Sequence, residues 1–112
     1  MAEDAGTLAI TSAGTAEKFT ADLDSNSSIR AGSVVTSISF RARSTNSGNV
    51  FIGTVGRDAT TLVTSTYGFT LEPGDFFGKD DISEKFDNWE ADAATSGDKI
   101  DWEVSFEAGA KA

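Results

Sequence analysis

The sequence predicts an all-β domain: an antiparallel β-sandwich, jelly-roll or β-tulip-like, of about seven to eight short strands with at most one helical turn. Three observations carry that expectation. Two long runs, "SVVTSISFRAR" (33–43) and "KIDWEVSF" (99–106), alternate apolar and polar residues with the period of two that a half-buried strand requires. Gly, Asn, Asp and Pro punctuate the chain about every ten residues. No segment of ordinary helical length shows a 3.6-residue repeat. At 112 residues the chain is read as one domain, 8–106, between an N-terminal arm at 1–7 and a tail at 107–112 that lack core patterning.

The elements follow in order. Candidate strands lie at 7–11 (TLAIT), 16–20 (AEKFT), 33–43, 49–55 (NVFIGTV), 61–64 and 67–71, separated by "SAG", "STNSGN", "GRDAT" and "EPGD". In 33–43, Val34, Thr36, Ile38, Phe40 and Ala42 share one face, and Arg41 and Arg43 share the other. In "EPGD", Pro73 fixes φ at the second turn position and Gly74 accepts the positive φ that a type II turn demands at the third, so another strand follows directly. "DDISEKFDNW" (80–89) carries Ile82, Phe86 and Trp89 at helical spacing, which predicts a single helical turn over 82–86. "NWEADAA" (88–94) alternates again, and "TSGD" (95–98) has hairpin-turn chemistry. Residues 88–106 therefore read as a hairpin with both tryptophans on its core face. A domain of this size is marginal alone, and association would help it.

Composition narrows the function classes. The chain has no cysteine and no histidine, which removes disulfides, thiolate chemistry, the commonest general base and the commonest transition-metal ligand. Eighteen acids against nine bases give a net charge of −9, which disfavours nucleic-acid binding. Residues 57–112 hold thirteen of the acids, so a surface facing that half should be neutral or basic. No apolar run approaches membrane-spanning length, and "MAEDAGT" has no signal-peptide pattern, so the expectation is a product made in the host cytoplasm with no membrane partner.

Carboxylates are the remaining catalytic material. Glu90, Asp92, Asp101 and Glu103 would share the outer face of the proposed hairpin, as a two-carboxylate glycosidase needs, but outward strand positions are ordinarily charged, and the solvated face is the preferred reading. "DLDSNSS" (22–28) spaces Asp22, Asp24 and Asn26 as calcium loops do, yet has Ser27 where the loop glycine belongs and Ser33 where the bidentate Glu belongs, so an Asx-rich loop is preferred. Asp80, Asp81, Glu84 and Asp87 are partly neutralised by Lys79 and Lys85. No catalytic, cofactor or metal residue is assigned.

Contact residues are better supported. The arm Met1, Ala2, Glu3, Asp4, Ala5, Gly6 and Thr7 is a candidate contact with a partner. Arg41 and Arg43 fit either pairing with acidic groups on a neighbouring subunit or protection of an edge strand against aggregation. Phe76 and Phe77 are adjacent, so in a strand one of them faces outward, and Phe77 is the candidate. Tyr67, Phe69, Phe76, Phe77, Trp89 and Trp102 could instead include a sugar-stacking platform, although Trp102 and Phe69 are in phase with the core.

Two stretches carry a family resemblance. "NSGNVFIGT" followed by "TSTYGFTLEPGD", and later "ISEKFDNWEADAATSGDKIDWEVSF", resemble the strand and turn pattern of the capsid decoration, or cement, proteins of tailed bacteriophages, over about residues 30–106. The resemblance implies a β-sandwich on the outside of a phage head. It further implies a homotrimer that bridges subunits of the major capsid protein without enzymatic activity or cofactor. The chain departs from the pattern in its acids across 80–92 and in "GRDATT" (56–61). The alternative reading is a carbohydrate-binding or host-adhesion module of a phage tail or fibre.

Overall fold

The computed structural model describes residues 2–25, 27–54 and 69–107. Met1, Asn26, the "GRDATT" loop, Arg57, the candidate strand at 61–64, Tyr67 and residues 108–112 of the expected tail lie outside the described residues. The strands are β1 (Ala2–Ala9), β2 (Glu17–Lys18), β3 (Val34–Ala42), β4 (Val50–Thr54), β5 (Phe69–Leu71), β6 (Phe76–Lys79), β7 (Glu84–Lys85), β8 (Trp89–Ala93) and β9 (Lys99–Phe106). A five-stranded antiparallel sheet runs β1-β9-β3-β6, with β7 also paired to β3, and faces a four-stranded sheet ordered β2-β8-β4-β5. The first strand pairs with the last and the second with the eighth, the wrapped order of a jelly roll. No helix is long and apolar enough to cross a membrane among the described residues.

The core is the seam between the sheets. Phe40 of β3 lies 4.8 Å from the Phe19 ring and 5.5 Å from the Trp89 ring, centroid to centroid, which joins the sheets through tilted aromatic contacts. Ile38, Ile52, Ala91, Ile100 and Val104 fill the space around them and are buried. At one rim, Phe77 of β6 stacks on Phe69 of β5 with centroids 4.0 Å apart. At the other, Trp102 of β9 buries its ring against Phe86 and donates its indole N–H to Asp22, 3.0 Å away.

Several expectations are corrected. The arm is β1: Ala2 pairs with Phe106 and the register continues to Ala9 opposite Lys99. "AEDAGTLA" has little strand propensity of its own; its place comes from the β9 ladder and from Gly6, where a Cβ would lie 2.6 Å from the Trp102 ring. The free edge of β1 is met by Asp22 and by Ser28 and Ile29. Asp22 accepts the Thr7 amide at 3.0 Å, and Asp4 accepts those of Ser28 and Ile29 at 2.8 and 3.1 Å.

The strand expected at 16–20 is only Glu17–Lys18, followed by a 3-10 turn at Phe19–Asp22 that drops Phe19 into the core. In β3 the alternation holds for Ile38, Phe40 and Ala42, but a register shift between Val35 and Ser37 puts Val35 inside in place of Val34 and Thr36. The helical turn expected over 82–86 is shifted to Phe86–Asn88, behind β7.

The 88–106 hairpin is also corrected. Both tryptophans are buried, as expected, but β8 belongs to the four-stranded sheet and β9 to the five-stranded one, so the 94–98 connection crosses between layers. Asp98 anchors that crossing by accepting the Ser47 and Gly48 amides, each at 3.0 Å. The "EPGD" turn forms as read: the Asp75 amide bonds the Glu72 carbonyl at 2.9 Å and Gly74 has φ 91°.

Replacing Asp22 by alanine leaves the buried indole N–H and the Thr7 amide without their acceptor. It should cost about 1–3 kcal/mol in urea unfolding and speed hydrogen exchange at Thr7.

Candidate protein-contact face

The outer face of the five-stranded sheet is set by strand register. Thr7, Asp101, Arg41 and Phe76 form one row across β1, β9, β3 and β6; Ala5, Glu103, Ser39 and Gly78 form the next. The second row is mostly small residues, so the sheet surface there is low. Phe76 stands beside it, 70% exposed, with its ring tip 3.6 Å from the position a Cβ on Gly78 would take. The ring lines both a depression of about 450 Å³ towards β1 and another of about 420 Å³ towards Asp80. A third, about 390 Å³, lies beside Arg41, Arg43 and Asp101.

One end of the face is a hydrogen-bonded cluster. Arg43 binds Asp101 through Nε, 3.1 Å from both carboxylate oxygens, and through Nη2 at 3.0 Å. The Thr7 hydroxyl donates to the same carboxylate at 2.6 Å and accepts from Arg43 at 3.2 Å. Arg43's hydrogen bonds, helped by Thr7, hold the Asp101 carboxyl below its ordinary value against a smaller opposing effect of burial. The same bonds raise the Arg43 guanidinium. Asp101 is thus kept ionised and occupied, the opposite of a poised general acid.

The candidate contact residues separate accordingly. Ala5, Gly6, Thr7, Arg41 and Arg43 meet at this face, with Arg41 exposed. Arg43 is engaged within its own chain. Glu3 is exposed on β1, Asp4 is bonded to the 28–29 amides, and Ala2 packs against the core. Phe77 is corrected: it lies opposite Phe40, shares its inward phase and stacks on Phe69, so the outward aromatic is Phe76. Phe69 keeps its core phase but sits at the rim, 36% exposed. The sequence marks Glu103 only as an outward carboxylate and gives no sign of Ser39 or Gly78, because the β3–β9 and β3–β6 registers are what bring the three together.

The carboxylate quartet is divided by the crossing of β8 and β9. Asp101 and Glu103 lie on the outer face of one sheet, while Glu90 and Asp92 lie on β8 in the other, with the sandwich core between the layers. Glu90 and Asp92 are not the solvated pair expected, being 6% and 0% exposed. Asp92 accepts the Gly14 and Ala93 amides at 3.0 and 2.7 Å. Burial pushes the Glu90 carboxyl above its ordinary value, partly offset by Lys18 opposite. Asp22 is committed to Thr7 and Trp102, and no group of three or more acids placed to hold a metal ion occurs among the described residues.

Two pH effects follow. With its pKa raised in the folded state, Glu90 makes stability fall as pH rises past the ordinary carboxylate range. Glu90→Gln should therefore raise the melting temperature at pH 7 more than at pH 4. Asp101 has the reverse sign: its contribution is present above the ordinary value and is lost as pH falls through the depressed one. Asp101→Asn should lower the melting temperature at pH 7 and leave it nearly unchanged at the acid end.

No family model and no curated protein matches the chain. Among solved structures, it is similar to a chain described as "Cyanophage Pam1 capsid asymmetric unit", at 19% identity and a TM-score of 0.36, over 94% of this chain and 82% of that one.

Proposed function

We propose that the chain is a non-enzymatic structural protein of a phage virion, binding the outside of the capsid and stabilising it by bridging subunits of the major capsid protein. Trimeric association is part of that reading. The observation that carries it is the outer face of the five-stranded sheet, where an exposed aromatic stands beside small residues and Asp101 is held in an internal ion pair, a surface suited to protein contact. The resemblance of residues 30–106 to decoration proteins points the same way. At the level of fold analogy, jelly rolls recur in viral capsid domains.

The mechanism is mass action on an assembled lattice. A domain that binds only where neighbouring capsid subunits are in place adds its binding free energy to the closed shell alone. At a free concentration a hundred times Kd this is about 2.7 kcal/mol per site. Repetition over many sites makes the total large without any single tight contact. Rigidity suits the task, and the two-sheet core supplies it.

A second reading is favoured by Phe76 itself, since an exposed ring beside Arg41 and Glu103 is also what a sugar-binding face uses, and lectin domains share this fold class. A glycan array separates the two: a shell-binding protein gives no hit that Phe76→Ser removes.

The deciding measurement is addition of the purified chain to heads lacking it. Stoichiometric retention on the heads and an upward shift in the temperature of genome release are expected. Failure to sediment with heads of the phage that encodes it overturns the proposal.

A further inference from the structure

We infer that the depression beside Arg41 and Arg43 is a carboxylate-binding site. It takes an acidic side chain of the protein that docks on the outer face of the five-stranded sheet, while an apolar group of the same segment packs on Phe76. The assignment rests on reading this face as the capsid contact, which makes the partner the major capsid protein.

Charge singles out this end of the face. Arg41 lies opposite Asp101 in the β3–β9 ladder. Two residues on, the Arg43 amide bonds the Lys99 carbonyl, and Lys99 is exposed in the same phase of β9 as Asp101. Three cations therefore gather around one carboxylate, on a chain whose net charge is −9. That carboxylate is already held by Arg43 and by the Thr7 hydroxyl. Arg41 acts on Asp101 through its charge alone; it is exposed and makes no hydrogen bond or ion pair among the described residues. Glu103, the next outward acid of β9, lies a row further on, opposite Ser39. In the adjoining turn Asp75 accepts the Glu72 amide at 3.0 Å, and neither of these acids lines the depression. Exposed charges beyond a Debye length, about 8 Å at physiological salt, are largely screened from it.

The ligand that fits is a single carboxylate. A guanidinium presents its N–H groups as a planar fork, which a carboxylate matches with two parallel hydrogen bonds. Ser44 and Thr45 border the same depression and are exposed, adding hydroxyl donors. A nucleic acid would instead lay many phosphates against an acidic surface that offers few cations to replace its counterions.

Shape supplies the apolar half. The depression of about 390 Å³ shares Arg41, Gly74 and Asp101 with the one of about 450 Å³ that Phe76 lines. Gly74 keeps the two continuous, because its φ of 91° disfavours any side chain and a Cβ there would stand 4.0 Å from that of Ser44. One extended segment thus reaches both, with its acid at Arg41 and its apolar side chain against the exposed Phe76 ring. An ion pair desolvated beside an aromatic anchor is where interface energy concentrates.

Carbodiimide labelling of carboxylates on heads lacking the protein, read by mass spectrometry with and without added chain, tests this. The unmodified chain should protect at least one Asp or Glu of the major capsid protein, and Arg41→Gln should leave that carboxylate labelled. In equilibrium binding to the same heads, Arg41→Glu and Phe76→Ser should each weaken retention on the order of tenfold to a hundredfold. Lys85→Glu makes the same change of charge opposite Val34, about 23 Å along β3 from Arg41, and should have little effect. All three positions are exposed, and melting temperatures near that of the unmodified chain will certify folding. Retention indifferent to Arg41 or Phe76, or no protected capsid carboxylate, overturns the site and leaves the capsid reading standing. An equal loss with Lys85→Glu also overturns it, since bulk charge would then be the cause. Failure of the unmodified chain to bind heads overturns both. A glycan-array hit on an acidic sugar that Arg41→Gln removes gives the site to a sugar carboxylate and overturns the protein one.

Discussion

The fold depends on Trp102 being core and fastener together. Its ring lies in the seam, 3% exposed and against Phe86, while its N–H reaches the Asp22 carboxylate that also takes the Thr7 amide. That geometry requires Gly6 directly opposite, because any side chain there would occupy the space of the indole. One residue of β9 thereby fixes the path of β1, the position of the 3-10 turn after β2 and the covering of the sheet edge. The opposite rim is closed more simply, by the Phe69–Phe77 stack.

How far the sequence foretold this differs by element. β9 is found at its full length because every second residue of 99–106 is apolar and buried. The "EPGD" reversal is read correctly because Pro and Gly each impose a φ. Layer assignment is another matter. Trp89 and Trp102 are both inward, but facing the same core is compatible with one sheet or two, and nothing in "TSGD" distinguishes a hairpin from a crossing between layers. β1 is foreseen only over 7–9, within the strand expected at 7–11, and residues 2–6 are missed for the converse reason: their order comes from β9 and from carboxylate caps, not from their own composition.

The contact face was only partly foreseen on the same logic. Arg41 is placed outward by the β3 alternation, which is local. Choosing between Phe76 and Phe77 needs the β3–β6 register, which is not. The buried pair Glu90 and Asp92 shows the limit of pattern: period two identifies the face a residue lies on, and neighbouring chain decides whether that face meets water. Here the turn holding Gly14 covers Asp92 and gives its Oδ1 an amide, while its Oδ2 is buried with no hydrogen-bond partner among the described residues.

The pairing of Ala2 with Phe106 brings the two ends of the folded body to one corner of the sheet. Tension applied between those ends would pull along the hydrogen bonds joining β1 to β9, so the ladder opens one rung at a time, starting at Ala2 and Phe106. A body loaded that way yields at low force. One gripped through its broad sheet surface instead shares the load over all rungs together, which suits a protein that is held by its faces and not by its termini.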